Sequence, residues 1–486
     1  MLDTKEYNLF AQRIGLVGIT NILLAPSGMF LIPLLTKTLP VEEYGIWAQI
    51  MVTIGLIPSL VTLGLPYAMV RFLAGAKKRD DIQEGFYSIA FIVFVTSISI
   101  SYILFIYSNL IASTLFDNNI HVVRILAIIV FIECLNSTVL NFFRAIQHIK
   151  RYSVFIFIRT YLDLILVAYF VLSGYGIIGA TIGILITRCL TLFIMTALVI
   201  SEIGFKIPNF IYMKDYLAFG LPTVPGNLSS WVITSSDRYV IGILLGTAFV
   251  GYYSPGYTLG NMINMFMTPF AVLLPAILSK YYDENNIYMV KTVLKYSLKY
   301  FLFFAIPSAF GVSLLSKTML EILSTPEIAS NGYLITPFVA ASEVFFGALV
   351  VIIKILILEK KTSITGSIYI LAALLNFSLN LILIPFMGIV GAAVATLVAY
   401  LSFFVIGTCY SFKYLKFEID FQFILKSIFA SLVMSLIILI WNPEGLQNVI
   451  VTVGFCAVIY SAILLLLKGI TREELIFFKN LLLRFR

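Results

Sequence analysis

Fourteen long apolar stretches follow one another along this chain and leave little sequence between them. A helix needs about 20 mainly apolar residues to cross the ~30 Å hydrocarbon core of a membrane. Charged residues make up only 12% of the 486 residues, so no segment is left for a sizeable soluble domain. The sequence therefore predicts an all-α integral membrane protein. Its predicted spans are 13–35, 45–66, 86–108, 121–143, 153–173, 177–200, 217–245, 250–276, 293–315, 328–353, 363–385, 388–411, 422–441 and 447–467.

The basic residues are distributed unevenly between the predicted loops. With both termini placed in the cytoplasm, the cytoplasmic segments contain 26 of the 32 Lys and Arg residues. The opposite segments contain only Lys37, Arg124 and Lys317. Because Lys and Arg are enriched in cytoplasmic loops, this asymmetry predicts cytoplasmic termini. The same asymmetry explains the net charge of +8: the basic residues orient the chain in the membrane and contact anionic lipid headgroups. The charge is therefore not interpreted as a nucleic-acid-binding surface.

Several classes of site are not predicted. The four cysteines all fall inside predicted spans, which indicates small packing residues and no disulfide framework. The two histidines lie at span ends, and no cluster suggests a metal site. A Walker A motif, a Ser–His–Asp pattern and a long external loop are all absent from the sequence, which argues against direct use of ATP and against an enzyme.

An internal repeat is visible in two pairs of segments. At an offset of 209, Phe30–Tyr44 matches Tyr239–Tyr253 at five positions. At an offset of 212, the segment GIIGA at Gly176–Ala180 recurs as GIVGA at Gly388–Ala392. Small residues at such positions let neighbouring membrane helices approach closely, which is the simplest role for these glycines.

The repeat predicts the domain organisation. Residues 1–210 should form an N-terminal lobe of six spans, and residues 211–415 a C-terminal lobe of six more. Because each half has an even number of spans, the two halves run in the same direction, as in parallel transporter repeats. Residues 416–486 would add two further spans and a cytoplasmic tail.

Prolines occur inside spans at matching places in the two halves. Pro26 and Pro33 lie in span 1, and Pro222 and Pro225 lie in span 7. Each proline removes a backbone donor and favours a kink. Interrupted helices at corresponding repeat positions point to the moving parts of a transporter, so these four prolines are predicted hinges.

Polar side chains recur at steps of three or four residues along several spans, so that each set shares one helix face. Polar groups at membrane depth normally face the bundle interior or a water-filled cavity. Four such stripes favour a shared hydrated cavity, whereas a single stripe is often a helix–helix contact. The amides that would line this cavity are Asn227, Asn261, Asn264, Asn376 and Asn380.

Ionisable residues also occur within the spans. Arg159 and Asp163 are four residues apart and can meet on one helix face. Asp237 and Arg238 are adjacent and point about 100° apart, so each is predicted to need a partner of its own. Arg188 has no acidic neighbour in the sequence; it either pairs with an acid on another helix or binds phosphate. The full set is Glu133, Arg159, Asp163, Arg188, Asp237, Arg238 and Glu343.

Four segments together resemble one family of membrane proteins. They are LPVEEYGIW (Leu39–Trp47), LGLPYAMVRFLA (Leu63–Ala74), RAIQHIKRYS (Arg144–Ser153) and SSDRYVIGILLGTAFVGYYS (Ser235–Ser254). The chain resembles the Wzx-type polysaccharide and O-antigen flippases, which are oligosaccharide flippases of the MOP exporter superfamily. The resemblance covers the whole chain in segment order and number of spans.

This resemblance implies a fold and a function. The implied fold is similar to that of MATE exporters, with two six-helix lobes in a V and two additional C-terminal helices. The implied function is movement of undecaprenyl-diphosphate-linked oligosaccharide across the bacterial cytoplasmic membrane for O-antigen, capsule or exopolysaccharide synthesis. The implied partners are this lipid-linked glycan, membrane lipids, a polysaccharide polymerase and a chain-length regulator.

Under this interpretation the polar residues have separate roles in alternating access. The diphosphate would be bound by Arg159, Arg188 and Arg238, and the sugar hydroxyls by the five asparagines above. No cofactor is expected, but coupling to H⁺ or Na⁺ is. The candidates for ion coupling are Glu133, Asp163, Asp237 and Glu343.

Two alternatives are distinguishable from the sequence. A cation-coupled multidrug exporter would have the same fold, and the three intramembrane arginines argue against cationic cargo. A membrane glycosyltransferase or polymerase would need catalytic residues on a sizeable external loop, and the outside segments are nearly all a few residues long.

Overall fold

The computed structural model describes residues 20, 23, 24, 27–76, 78–469 and 474. These residues form helices joined by short turns, and no strand occurs among them, which confirms the all-α prediction. The chain forms two compact units, Met1–Tyr252 and Tyr253–Arg486, called the first and second unit below. Each unit has its own core of buried apolar side chains.

The first unit is built from helices α1 to α10 and the beginning of α11. A 3₁₀ turn, Leu221–Thr223, separates α9 from α10. The helices are α1 (residues 27–38 described), α2 (Val41–Val61), α3 (Leu65–Leu73), α4 (Arg79–Ile106), α5 (Ser108–Leu115), α6 (Ile120–Ala145), α7 (Ile149–Leu172), α8 (Gly176–Ile203), α9 (Met213–Gly220), α10 (Val224–Leu245) and α11 (Thr247–Asn261).

The second unit contains the rest of α11 and helices α12 to α20. A second 3₁₀ segment, Met262–Phe266, separates α11 from α12. The helices are α12 (Thr268–Asp283), α13 (Ile287–Leu323), α14 (Pro326–Gly332), α15 (Ile335–Ile352), α16 (Lys354–Leu358), α17 (Thr362–Met387), α18 (Ile389–Tyr414), α19 (Phe421–Trp441) and α20 (Gly445–Leu466).

Twelve helical segments of the described chain are long and apolar enough to cross a membrane. Two of the fourteen predicted spans are not among them. Span 13–35 lies largely outside the described residues. Span 217–245 corresponds to α9, the 3₁₀ turn and α10, and α10 is long enough but carries a polar stripe that includes Asp237 and Arg238. The total of fourteen therefore stays a prediction.

Helix packing is similar within the two units. In the first unit α6 packs against α4 and α8, and α8 packs against α7. In the second unit α15 packs against α13 and α18, and α18 packs against α17. The motif glycines permit close approach: a Cβ at Gly391 would lie 2.5 Å from the carbonyl oxygen of Leu383, and one at Gly179 would lie 3.0 Å from the Cβ of Phe170.

The compact units and the predicted lobes divide the chain differently. The boundary between the units lies in the sequence of α11, between Tyr252 and Tyr253, whereas the boundary between the predicted lobes lies between residues 210 and 211. Helix α10 packs against α2, so its contacts place it in the first unit although the repeat places it in the second half. Because one division follows contacts and the other follows sequence repetition, the predicted lobes stay a prediction.

The helix breaks explain how prolines are accommodated. Pro222 lies in the 3₁₀ turn before α10, and Pro225 lies in the first turn of α10, where a missing N–H costs no helical hydrogen bond. The predicted bend in span 7 is thus a change of helix type. Pro33 lies within α1, and Pro26 falls outside the described residues. The hinge role of these prolines stays a prediction.

Candidate functional site

Four ionisable side chains from three helices of the first unit come together. Glu133 comes from α6, Arg159 and Asp163 come from α7, and Arg188 comes from α8. Packing of α8 against both α6 and α7 brings them within contact distance. We call these four residues the charge cluster.

Arg188 is the centre of the charge cluster. Its Nε lies 2.7 Å from Glu133 Oε2, and its Nη1 donates to Asp163 Oδ1 at 3.0 Å and to Oδ2 at 2.9 Å. Arg159 Nη2 donates to the other Glu133 oxygen, Oε1, at 2.8 Å. Two guanidinium groups and two carboxylates therefore balance each other, with Glu133 bridging the arginines.

Exposure separates the members of the charge cluster. The side chains of Arg188 and Glu133 are 4% and 9% exposed, whereas those of Asp163 and Arg159 are 19% and 24% exposed. Arg188 is thus held inside by acids from other helices, which was one of its two sequence-based interpretations. Arg159 is the accessible guanidinium, and Glu133 is its one ion-pair partner among the described residues.

A second layer of hydrogen bonds fixes α8 against α6. Asn136 Nδ2 donates to the backbone oxygen of Arg188 at 2.9 Å, and Thr191 Oγ1 donates to Asn136 Oδ1 at 3.2 Å. Both side chains are buried. Asn136 lies one turn after Glu133, so the polar stripe of α6 is used to position Arg188.

The prediction for Asp237 and Arg238 is wrong in one respect. Arg238 Nη1 lies 3.0 Å from Asp237 Oδ1, so these adjacent residues do form an ion pair. The long Arg238 side chain bends back along the helix and also donates to the Thr234 carbonyl oxygen at 3.0 Å. Asp237 Oδ1 additionally accepts the backbone N–H of Arg238 at 2.8 Å. The two Cα–Cβ bonds point about 100° apart, but the flexible Arg238 side chain is long enough to span that angle.

The predicted asparagine ligands occupy different environments. Asn380 Nδ2 donates to Asn376 Oδ1 at 3.1 Å, and Asn376 Nδ2 lies 3.5 Å from Thr396 Oγ1 on α18. Both asparagines are fully buried, and Asn376 links α17 to α18 through its contact with Thr396. Asn227 is half-buried and accepts a long hydrogen bond from Tyr67 Oη at 3.4 Å. A role for any of them in sugar binding stays a prediction.

Glu343 is the isolated acid of the second unit. It lies on α15 and is 2% exposed. Asn261 Nδ2 donates to its Oε1 at 3.1 Å, and its Oε2 has no hydrogen-bond partner among the described residues. No described Arg or Lys pairs with it, in contrast to Glu133. Asn264, three residues after Asn261, is half-buried in the 3₁₀ segment.

Glu133 and Glu343 occupy the same position in the repeat, which the sequence analysis missed. At an offset of 210, between the two offsets found above, both glutamates coincide and the basic positions that follow them also match. This match between the two halves can be found from the sequence alone. The matched pairs are Glu133 with Glu343, Arg144 with Lys354, Lys150 with Lys360, Arg151 with Lys361 and Ser153 with Ser363.

The segment after α8 is also fixed by a buried acid that the sequence analysis did not single out. Glu84 is 3% exposed and accepts the backbone N–H of Asn209 at 2.9 Å. Tyr87 Oη donates to the carbonyl oxygen of Gly204 at 2.6 Å. The connection between α8 and α9 is thus held against the N-terminal part of α4.

Comparison with known sequences identifies the family. A family model described as polysaccharide biosynthesis protein matches residues 34–327. A curated relative, the probable low-salt glycan biosynthesis flippase Agl15 of Haloferax volcanii, is 22% identical over 281 residues. That alignment covers 57% of this chain and 59% of the relative, so the chain matches about three-fifths of the relative's length.

Comparison with solved structures identifies the fold. The lipid II flippase MurJ in an inward closed conformation gives a TM-score of 0.76 at 18% identity, covering 96% of this chain and all of that one. An inward-facing MATE transporter of the MOP superfamily gives 0.67 at 14% identity, covering 80% and 94%. The expected MATE-like fold is confirmed. Because the family model spans more than half of the chain, the protein belongs to the polysaccharide biosynthesis protein family.

Proposed function

We propose that the protein is a flippase, and not an enzyme, that moves a lipid-linked glycan from one membrane leaflet to the other. The family match and the MurJ-like fold support this proposal. The observation that carries it is a partly accessible guanidinium, Arg159, held between transmembrane helices by a charge-balanced cluster. Such a group suits an anionic headgroup that has to pass through the membrane.

The physical problem for a flippase is the headgroup. Neither a diphosphate nor a hydrated glycan crosses hydrocarbon unaided, because buried charge without partners costs many kcal/mol. A guanidinium offers planar, charge-assisted donors that match phosphate oxygens. Arg159 is 24% exposed and keeps one ion pair, to Glu133, so it is the first candidate for the diphosphate.

The other two arginines rank lower. Arg188 is bound by Glu133 and Asp163, and its side chain is only 4% exposed. Its proposed role is to position Glu133, which in turn orients Arg159. Arg238 is paired with Asp237 and is 9% exposed as a residue. Binding through Arg238 would require this ion pair to open.

We further propose a specific lipid-linked cargo and a specific membrane for this flippase. The carrier is undecaprenyl diphosphate, the glycan is an oligosaccharide repeat unit, and the membrane is the bacterial cytoplasmic membrane with both termini inside. The Wzx-like segments and the 26 against 3 distribution of basic residues support it. Transport proceeds by alternating access coupled to H⁺ or Na⁺, with the polyprenyl tail remaining in lipid. A polymerase and a chain-length regulator would act on the delivered units.

The test is a leaflet-resolved assay of the lipid-linked glycan in cells that lack the gene. The intermediate should accumulate on the cytoplasmic leaflet while its assembly continues. Arg159→Gln should reproduce this block, and Arg124→Gln, which removes an arginine outside the charge cluster near the N-terminal end of α6, should not. If the glycan unit is never assembled, the protein is an enzyme. If assembly and export both continue and only sensitivity to hydrophobic cations rises, it is a drug exporter.

A further inference from the structure

The two repeats carry a buried glutamate at one shared position and surround it with different side chains. At the offset of 212 set by the GIIGA and GIVGA segments, the counterpart of Arg188 is Tyr400. Residues 369–371 and 373–375 cover offsets of 210 to 212 from Arg159 and Asp163, and neither set contains a charged residue. The second unit therefore has the glutamate but has no arginine at the positions that match Arg159 and Arg188.

The helices packed against α15 bring no cation to Glu343. On α13, Phe301 contacts Gly347 of α15, and residues 301–316 contain no ionisable side chain. The 3₁₀ segment Met262–Phe266 contains none either. The basic residues of α12, α16 and α18 are Lys280, Lys354 and Lys413. Lys354 is eleven residues from Glu343, or about 16 Å at the helical rise, and Lys413 is thirteen residues from Tyr400 along α18.

The other polar groups near Glu343 are neutral at ordinary pH. Helix α11 provides Asn261, the hydrogen-bond donor. Helix α18 provides Tyr400. Its ring stacks on that of Phe346, which lies three residues after Glu343, with 4.9 Å between the ring centroids. An ionised carboxylate here would have one amide hydrogen bond and no counter-charge.

We propose that Glu343 is a proton-binding site of the transporter, protonated in the conformation described here and deprotonated when the transport cycle hydrates it. The inference rests on the proposed function, because it names the coupling ion of that flippase. An isolated buried charge costs far more than one hydrogen bond returns, so the neutral acid is the stable form. Glu133, by contrast, contacts two guanidinium groups, those of Arg159 and Arg188.

The proton step is simple in chemical terms. The O–H bond of the Glu343 carboxylic acid breaks, the proton passes to water, and the electron pair stays on the carboxylate. Asn261 then donates its N–H to the anion, and reprotonation from the other side of the membrane reverses the step. A metal cation fits less well, because the amide nitrogen of Asn261 faces the carboxyl group at 3.1 Å and cannot act as a ligand.

Infrared difference spectroscopy of the full chain in lipid nanodiscs tests proton binding without any substrate. The wild type should show the carbonyl band of a protonated carboxylic acid that disappears as the pH is raised. Glu343→Gln should lose this titrating band, and the matched variant Glu133→Gln should retain it. Asn261→Leu removes the donor that stabilises the anion, so its band should persist to higher pH. A band unchanged in Glu343→Gln, or absent from the wild type, overturns the proposal.

Transport in proteoliposomes separates this inference from the function on which it rests. With undecaprenyl-diphosphate-linked N-acetylglucosamine as the probe, an imposed pH gradient should accelerate flipping by the wild type, and Glu343→Gln should lose that acceleration. Equal acceleration in the variant, or acceleration by a Na⁺ gradient alone, refutes proton binding at Glu343 as the coupling step. Failure of the wild type to move the probe at all contradicts the proposed cargo, and the infrared result still decides whether Glu343 binds a proton.

Discussion

Glu133 and Glu343 hold one position in two repeats, yet only Glu133 is surrounded by charge. Glu133 contacts two guanidinium groups, and Glu343 contacts one amide. The helices that pack around them are equivalent, since α6 with α8 corresponds to α15 with α18. A repeated scaffold therefore does not impose a repeated environment: the side chains on neighbouring helices pair Glu133 with two arginines and leave Glu343 with one amide.

The largest effect should come from removing the centre of the charge cluster. Arg188→Leu leaves the Glu133 and Asp163 carboxylates without their main partner. Loss of one member of a buried ion pair typically costs about 3–5 kcal/mol of stability. The melting temperature of the purified variant should fall sharply.

The control for this prediction neutralises the stranded acid. Adding Asp163→Asn to Arg188→Leu should recover much of the lost stability, because Arg159 and Glu133 then remain as a balanced pair. A single variant that melts like the wild type but does not transport would instead make Arg188 a substrate-binding residue, and the contrast with Glu343 would lose its basis.

Arg159→Gln should separate function from stability. Arg159 is the most exposed member of the charge cluster, so its loss should cost about 1 kcal/mol or less after solvent screening. Flipping should nevertheless fall strongly, and Arg159→Lys should restore it only in part, because an ammonium lacks the planar fork of donors. Normal transport by Arg159→Gln in the leaflet-resolved assay would remove this residue from the binding site.

The smallest effect is expected where an ion pair is exposed. The hydrogen bond from Lys295, at 2.7 Å, lowers the pKa of Glu418 from its ordinary value of 4.5. Any stabilisation by this pair is thus present at neutral pH and is lost as the pH falls through the lowered pKa. Because Glu418 is fully exposed, Glu418→Gln should leave the melting temperature unchanged at pH 7. A clear loss would mean that surface and buried pairs in this protein do not differ as argued.

The sequence predicted the fold and the family because both depend on features local to the chain. The sequence shows these features without any knowledge of which residues contact each other in the fold. They are the apolar stretches, the offset between GIIGA and GIVGA, and short segments such as Leu39–Trp47. The charge cluster was different. Arg188 lies 25 residues from Asp163 and further from Glu133, so its partners became evident only once α6, α7 and α8 were packed.

Two further features were missed for different reasons. The Asp237–Arg238 ion pair depends on side-chain bending, which helical spacing does not describe. The match of Glu133 with Glu343 was present at an offset of 210 but involves only scattered positions. Its meaning also required the structure, because the difference lies in the partners and not in the glutamates.

The most direct test of the comparison is to measure the stability of two matched variants in one nanodisc preparation. Glu133→Gln leaves Arg159 and Arg188 with Asp163 alone, and should lower the unfolding free energy by about 3 kcal/mol. In the protonated state proposed for Glu343, Glu343→Gln replaces a neutral acid by a neutral amide of the same shape, and should stay within about 0.5–1 kcal/mol of the wild type. Equal losses in the two variants, or a larger loss in Glu343→Gln, would contradict the assignment of one glutamate as a fixed charge and the other as a proton site.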